Sequence, residues 1–459
     1  MWILGINSGL NSSAVLLNDG VPIFGIQEER LTRIKNQPGY PSKSIAAALD
    51  FAGIKKTDVD LVCVGGKSTK TLYSRAQDLN KYHQQYSGLR AHARENQLIR
   101  AIQKIGHHTF FNRARKSAPE RGDLESYLKK DDLGDRVLFF DHHLCHAASA
   151  YFGLARKAGD RCLVFTLDGG GDRKTAGVFV GEGDHLSEIS SSRSMSLGSL
   201  YAHITYILGF VPHEHEYKLM GLAPYTNPRY AESVKESLEH LVKFSEEDPL
   251  QFVNPNYQIY GLSAPAAEKQ MWIEDLYRRI QFQRFDTVAA GLQLFVEGLA
   301  VQWIKRGIKA TGITNAVLSG GFFMNVKANQ LIAKIPELTQ LNCFPSCGDE
   351  TNAFGAAFLG FQKAKKVETK SIREIQFGQF CIGSEPGPDL AMACRKFKEE
   401  VNFEKLMDVN QRIAEEIAND KIVARCSGRM EFGARALGNR SILAAPNNFK
   451  NIQRINRAI

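Results

Sequence analysis

The sequence predicts an α/β protein built on a repeated unit, and three observations carry that expectation. The first is a strand–loop–strand–turn–strand plan at the N-terminus. Apolar runs at Ile3–Ile6, Ser13–Leu17 and Val21–Gln27 are separated by a loop over Asn7–Asn11 and by Asn18-Asp19-Gly20. Asp-Gly between two apolar runs signals a hairpin, because a tight two-residue turn needs positive φ angles. The second observation is that the plan returns at Cys162. A strand to Leu167 is followed by Asp168-Gly169-Gly170-Gly171-Asp172, a strand Thr175–Val180, a Gly-Glu-Gly-Asp turn and a strand from His185 to Ile189. The third is a short strand, Ala316–Leu318, that ends in Ser319-Gly320-Gly321 and leads into the helical FFMNVKANQLI. Two related α/β halves imply a crevice between them, where ligands of such sheets bind.

Each glycine cluster has a chemical reading and a plain one. A strand ending in Asp168-Gly169-Gly170-Gly171 frees backbone N–H groups to surround phosphate oxygens, with a carboxylate placed for a metal or a water. Read alone, it is equally a turn. Ser319-Gly320-Gly321 before a helix lets a ribose or base approach the backbone. As a third element after two hairpin loops, it gives the pattern of the actin-like ATPase superfold.

Just upstream, His142-x-x-x-His146 opens a helical segment, so both imidazoles share one face and can reach a single metal ion. The alternative is two unrelated helix histidines. Asp349 falls at the start of the helix AFGAAFLG, where its carboxylate either points into the cleft as a third ligand or serves as a helix N-cap.

The remaining composition narrows the class. At 459 residues the chain is long enough for two or three domains. Its 43% hydrophobic and 23% charged content describes a globular protein. No secretory signal and no apolar run of membrane-spanning length is read, and a cytoplasmic location is expected. The eight cysteines form no C-x-x-C pair, which fits free thiols in a reducing compartment better than a zinc or disulfide framework. The net charge is +9, and residues 67–130, with fourteen Lys/Arg against five Asp/Glu, account for all of it. That segment is expected to be a basic helical insertion, either a solvated face or a wall toward an anion. It contains no recognised nucleic-acid module.

Six ordered motifs then define a resemblance: HHLCHAASAYF, TLDGGGD, EYKLMGLAPY, LSGGFFMNV, CGDETNAFGAA and GRMEFGARALGNRSILA. Together they resemble the O-carbamoyltransferases of nodulation and antibiotic tailoring, across nearly the whole chain except the basic segment and residues 228–280. The resemblance implies a duplicated actin-like domain over residues 1–365, followed by a partial module resembling threonylcarbamoyl-AMP synthases over 370–459. In that family the smaller module cleaves carbamoyl phosphate, and the carbamate attacks the α-phosphorus of ATP. The larger module then passes the carbamoyl group from the adenylate to a hydroxyl of a small-molecule acceptor.

Carried over residue by residue, His142, His146 and Asp349 match metal ligands, for iron(II) or another divalent ion. Asp168, Gly169, Gly170, Gly171, Ser319, Gly320, Gly321 and Asn325 match the nucleotide loops, with Lys218 and Gly221 of the third motif assigned there too. ATP is expected with Mg²⁺. Lys35 matches a basic catalytic position, and Arg429, Glu431, Arg435 and Arg440 match the carbamoyl-phosphate site. Bidentate guanidinium groups suit a doubly charged phosphate beside a flat amide, although the same motif on its own reads as a helix-turn with surface Arg–Glu pairs. Partners are expected to be the acceptor, ATP and carbamoyl phosphate, without membrane or nucleic acid, and with a homodimer left open.

The chain departs from the pattern mildly at Ala434, where relatives often carry Pro, and more in two further places. Leu10-Asn11 stands where relatives carry His-Asp, and relatives continue well past the equivalent of Ile459, so the smaller module is expected to be incomplete. Two alternatives stay open: a tRNA threonylcarbamoyl transferase-like enzyme and a non-catalytic ATP-binding scaffold.

Overall fold

The computed structural model describes residues 1–67, 82–86, 124–154, 161–256, 266–364, 380–385 and 390–458. Most of the basic insertion, expected over 67–130, lies outside the described residues. The chain divides into two units, Met1–Phe377 and Gly378–Ile459.

The larger unit holds two five-stranded sheets. In the first, β1 (Trp2–Asn7), β2 (Ser13–Asn18) and β3 (Val21–Gln27) form an antiparallel meander. Strands β4 (Leu61–Gly65) and β5 (Val137–Phe140) add in parallel on the far side of β1, giving the order β3-β2-β1-β4-β5. The second sheet repeats that plan. β6 (Cys162–Gly171), β7 (Lys174–Glu182) and β8 (His185–Ser192) form the meander. After the small hairpin of β9 (Lys243–Phe244) and β10 (Phe252–Val253), β11 (Asn315–Ser319) and β12 (Gln340–Cys343) complete the order β12-β11-β6-β7-β8, again with parallel pairs. Strand β1 is central and covered on both faces, hence its apolar run Ile3, Leu4, Ile6. The edge strand β8 carries Ser187, Glu188, Ser190 and Ser191 instead.

The turn between β2 and β3 is the one the sequence expects, with Asp19 and Gly20 at φ 49° and 80°. The second hairpin differs from expectation. Strand β6 continues through the glycine run, with an irregularity between Leu167 and Gly171, and the turn itself is Asp172-Arg173, both at positive φ (48° and 67°). The glycines are strand, and the turn comes after them.

Two helices fill the space between the sheets by crossing over. Strand β5 of the first sheet feeds the helix His142–Gly153, which packs on β6, β7 and β11 of the second. Strand β12 of the second sheet leads, through the short turn Asp349–Thr351, to the helix Asn352–Ala364, which packs on β1 and β4 of the first. The helices touch where a Cβ at Gly355 would fall 1.9 Å from the Cys145 carbonyl oxygen, and a Cβ at Gly5 would fall 2.0 Å from that of Ala353. The small residues of AFGAAFLG therefore set how closely helix and sheet approach. On the outer face of the first sheet, Ile45 and Leu49 of the helix Ser42–Ala52 cover Leu4, Ile6, Val62 and Val64.

On the second sheet the helix Phe285–Thr311 buries Trp303, whose Nε1 donates to the Leu250 carbonyl at 2.7 Å and whose ring meets Phe165 and Phe252. Each such side chain contributes about 1.5–3 kcal/mol through burial. This helix, contrary to the sequence expectation, is long and apolar enough to cross a membrane. However, 78% of its apolar window is buried inside the protein, as in a core helix.

The smaller unit contains the antiparallel pair β13 (Val423–Cys426) and β14 (Arg440–Leu443) and helices Leu390–Lys396, Val409–Ala418 and Lys450–Ala458. Met407, Phe449 and Ile452 are exposed on it.

Candidate metal and nucleotide site

The crossover brings the starts of two helices to one point, at the C-terminal ends of the parallel strands. His142 and His146 project from the first helix, Asp349 sits just ahead of the second, and Asp168 reaches in from β6. One ligand atom from each of the four lies within 4.8 Å of all the others. His142 Nε2 and His146 Nε2 are 3.1 and 3.2 Å from the same oxygen, Asp168 Oδ2, and 3.2 Å from each other. Asp349 Oδ1 lies 3.7 and 3.6 Å from the two rings. The N-cap alternative for Asp349 fails. The turn is capped by Gly348 with no side-chain bond, and the carboxylate faces the histidines.

Burial opposes charge on His146, but the hydrogen bonds and charges of Asp168 and Asp349 outweigh it and push it up to about 9. His142 is also raised: burial again opposes, and the Asp349 charge and the Asp168 bond prevail. Asp168 is held well below the carboxylate range by the two imidazoles, against its burial. Asp349 is raised, by burial and then by the charge of Asp168. The two carboxylates thus favour the charged, protonated form of both imidazoles. A divalent cation would balance the same charges and displace those protons. Two nitrogen and two carboxylate donors facing one point are a donor set for such an ion. His143, by contrast, is buried, bonds Thr166 through Nδ1 at 2.9 Å and is lowered well below its usual range by burial and by its charged neighbours.

The predicted nucleotide loops flank this cluster. Ser319 pairs with Thr166 in parallel register, so Gly320-Gly321 and Asp168-Gly169 are neighbours. Gly320 has φ 98°, and a Cβ there would lie 2.5 Å from the Leu167 carbonyl oxygen. A Cβ at Gly171 would lie 2.2 Å from His142 Cγ, whereas one at Gly169 would meet nothing within 4 Å. Gly169 thus has the open side. Asn325 is already engaged. It caps the helix Val326–Ile332 through Ala328 N at 3.1 Å and exchanges hydrogen bonds with Gln293. Lys35 and Lys218, far apart in sequence, come close enough for the charge of Lys35, after burial, to lower Lys218. Lys35 Nζ also lies 3.9 Å from Glu214. Gly221 is exposed and open.

In the smaller unit the segment Ser427–Asn439 is a loop between β13 and β14 and not a helix-turn. Glu431 Oε1 accepts the N–H groups of Leu437, Asn439 and Arg440 at 3.0, 2.7 and 2.9 Å. Arg429 donates to the carbonyls of Ile382 and Gly383, and Arg440 to those of Ser427, Gly428 and Asn439. Glu431, Arg429 and Arg440 therefore shape the loop, and Arg435 is the exposed cation on it.

Sequence reasoning missed two supports of the cluster, Asp172 and Asn352, and one bond of the neighbouring loop, from Asn11. Asp172 Oδ2 accepts the backbone N–H groups of His142 and Lys67 at 2.7 and 2.8 Å. Asn352 contacts both histidine rings. Asn11 donates to buried Glu350 at 3.2 Å. The second carboxylate of Asp-Gly-Gly-Gly-Asp was the available signal for Asp172. For Asn352 and Asn11 the spacing carried none.

Residues 2–358 match the carbamoyltransferase N-terminus model and residues 414–459 the carbamoyltransferase C-terminus model. The chain belongs to the carbamoyltransferase family, a family of transferase enzymes. It is similar to the nodulation protein NolNO of Sinorhizobium fredii, 28% identical over 452 residues that cover 98% of this chain and 60% of that protein. An uncharacterized protein of Synechocystis is 29% identical over 475 residues, 97% of this chain and 71% of its own length. Among solved structures, an activator of the 2-hydroxyisocaproyl-CoA dehydratase from Clostridium difficile with bound ADPNP aligns with a TM-score of 0.40 and 13% identity, covering 80% of this chain and 96% of that one.

Proposed function

We propose that this carbamoyltransferase-family chain is an ATP-dependent O-carbamoyltransferase with a duplicated actin-like domain. The observation that carries the reading is the cluster of His142, His146, Asp168 and Asp349 beside two glycine loops on neighbouring parallel strands. The chemistry needs such a place. Carbamate is a poor electrophile, and as a mixed anhydride with AMP it gains a leaving group.

In this reading water cleaves carbamoyl phosphate to carbamate and phosphate in the smaller module, where Arg435 is an exposed cation. A carbamate oxygen attacks the α-phosphorus of ATP, and pyrophosphate leaves. The acceptor hydroxyl then attacks the carbamoyl carbon, AMP leaves with the bridging oxygen, and the hydroxyl proton goes to solvent. The open backbone at Gly169 and the positive-φ turn at Gly320 give the nucleotide close approach, and Ser319, Gly321 and Gly170 complete the lining. Lys35 and Lys218 add positive charge for the phosphates. His142, His146, Asp168 and Asp349 would hold a divalent ion, iron(II) fitting the donor set. Bound there, it would supply Lewis acidity to the carbonyl under attack.

The test is incubation with ATP, carbamoyl phosphate and a panel of hydroxyl compounds, followed by mass spectrometry. A mass gain of one carbamoyl group on an acceptor, with AMP and pyrophosphate formed in equal amounts, is expected. His146→Ala should abolish it. Carbamoyl transfer that persists in His146→Ala, or no transfer even from supplied carbamoyl-adenylate, overturns the reading.

A further inference from the structure

We propose that Asn352 is a positioning residue of this centre, its side-chain amide turning between two orientations that fix which nitrogen of His142 carries the proton. The proposal rests on the reading of the four-residue cluster as a metal site.

Asn352 is fully buried. Its Nδ2 lies 3.2 Å from His142 Nδ1 and 3.5 Å from His146 Nε2. Its Oδ1 is buried and has no hydrogen-bond partner among the described residues. Leaving a buried carbonyl unpaired is costly, so a second arrangement that uses it is expected. The two ends of an amide have nearly the same shape, and a half-turn about the last side-chain bond exchanges them.

The two orientations answer to two states of His142. When His142 is neutral and its proton sits on Nε2, facing Asp168 Oδ2 3.1 Å away, Nδ1 is a lone pair and accepts from the amide N–H. When the Nε2 lone pair binds a cation, the neutral ring carries its proton on Nδ1, and that N–H needs an acceptor. A metal-bound histidine almost always donates its other N–H to such a group, which fixes ring orientation and tautomer. Among the described residues Asn352 is the one partner of His142 Nδ1, and the half-turn presents Oδ1 to it.

The backbone beneath cannot move aside. A Cβ at Gly65 would lie 2.8 Å from the Asn352 Cβ, and one turn on, Gly355 is pressed against the Cys145 carbonyl. Rotation of the amide is therefore the freedom that remains. A neutral amide also supplies an acceptor without adding a third negative charge beside Asp168 and Asp349.

The experiment measures Co²⁺ affinity by calorimetry in the full chain and in Asn352→Leu, Asn352→Asp and His146→Ala. It adds ring-nitrogen NMR of histidine-labelled, Zn²⁺-loaded protein. Asn352→Leu keeps the size and removes the acceptor, and its Kd should rise about 10–100-fold. Asn352→Asp, which accepts the same proton, should bind as tightly as the unaltered chain or more so. His142 should carry its proton on Nδ1 in the loaded protein. Equal affinity in Asn352→Leu, loss in both variants, or an Nε2–H tautomer for His142 overturns the proposal. Unaltered protein that binds no more Co²⁺ than His146→Ala overturns the metal reading itself, a distinct result.

Discussion

The two sheets share an order, yet their first hairpins do opposite work. Between β1 and β2 the loop Ser8–Ser12 contains no titratable side chain, and its polar groups brace it against its own backbone, Gln37 and Glu350. Asn7 Nδ2 donates to the carbonyls of Leu10 and Asn11, Asn7 Oδ1 accepts from Gly9 N, and Ser12 bonds Gln37. Between β6 and β7 the strand runs on through glycines to a two-residue turn, and both carboxylates face the histidine helix. The same backbone plan has become a brace in one copy and a donor of ligands in the other. Where a protein repeats a fold, side-chain chemistry at corresponding positions, and not topology, locates the reaction.

The sharpest way to break that contrast is to exchange the roles. Asp168→Ala should raise the Kd for a divalent ion by at least about a hundredfold, roughly 2.7 kcal/mol. Asn11→Ala, in the bracing loop, should leave metal content unchanged by elemental analysis. Equal losses would mean that both hairpins serve the centre.

Next in size is glycine crowding. In Gly171→Ala the new methyl meets the His142 ring at 2.2–2.6 Å, a clash expected to cost about 1–3 kcal/mol in chemical denaturation. In Gly9→Ala it meets Asn7 Oδ1 at 3.3 Å and Asp349 Oδ2 at 3.8 Å, the latter an ordinary contact, so a change within about 0.5 kcal/mol is expected. Asn7→Ala should then destabilise by about 1–2 kcal/mol without altering metal affinity, since it unties the loop but touches no ligand. The smallest effect belongs to the second turn. Arg173 holds φ 67°, and Arg173→Gly should be neutral or stabilise by up to about 1 kcal/mol.

The sequence made much of this visible, for physical reasons that differ by element. Alternating apolar runs and Asp19-Gly20 announce the first meander because a two-residue turn has few solutions. His142 and His146 announce a shared face because helical spacing is rigid. The placement of Asp168 was legible only as a choice between phosphate loop and metal ligand, since nothing local says which way a carboxylate leaves a bulged strand. The strand character of Gly169–Gly171 was hidden, because glycine reads as a turn when the cause is a neighbouring ring. Arg429 and Arg440 carried the right chemistry for an anion, but they donate to main-chain carbonyls, Arg429 to Ile382 and Gly383 and Arg440 to its own loop. Residue type cannot reveal that.

The crossing of the two central helices has a consequence for how the chain becomes active. Ser13 bonds the carbonyl of Glu350 across 337 residues, and Asn352 meets His142 across 210. The complete centre does not exist in a locally folded fragment, because Asp349 and Asn352 must reach the histidines from the far end of the unit. Closing loops of that size is slow, and their contacts repay the entropy only when both sheets have met. A cation with these four ligands can therefore be taken up only after the last long-range docking event. Metal uptake, followed in real time during refolding, becomes a clock for completion of the larger unit.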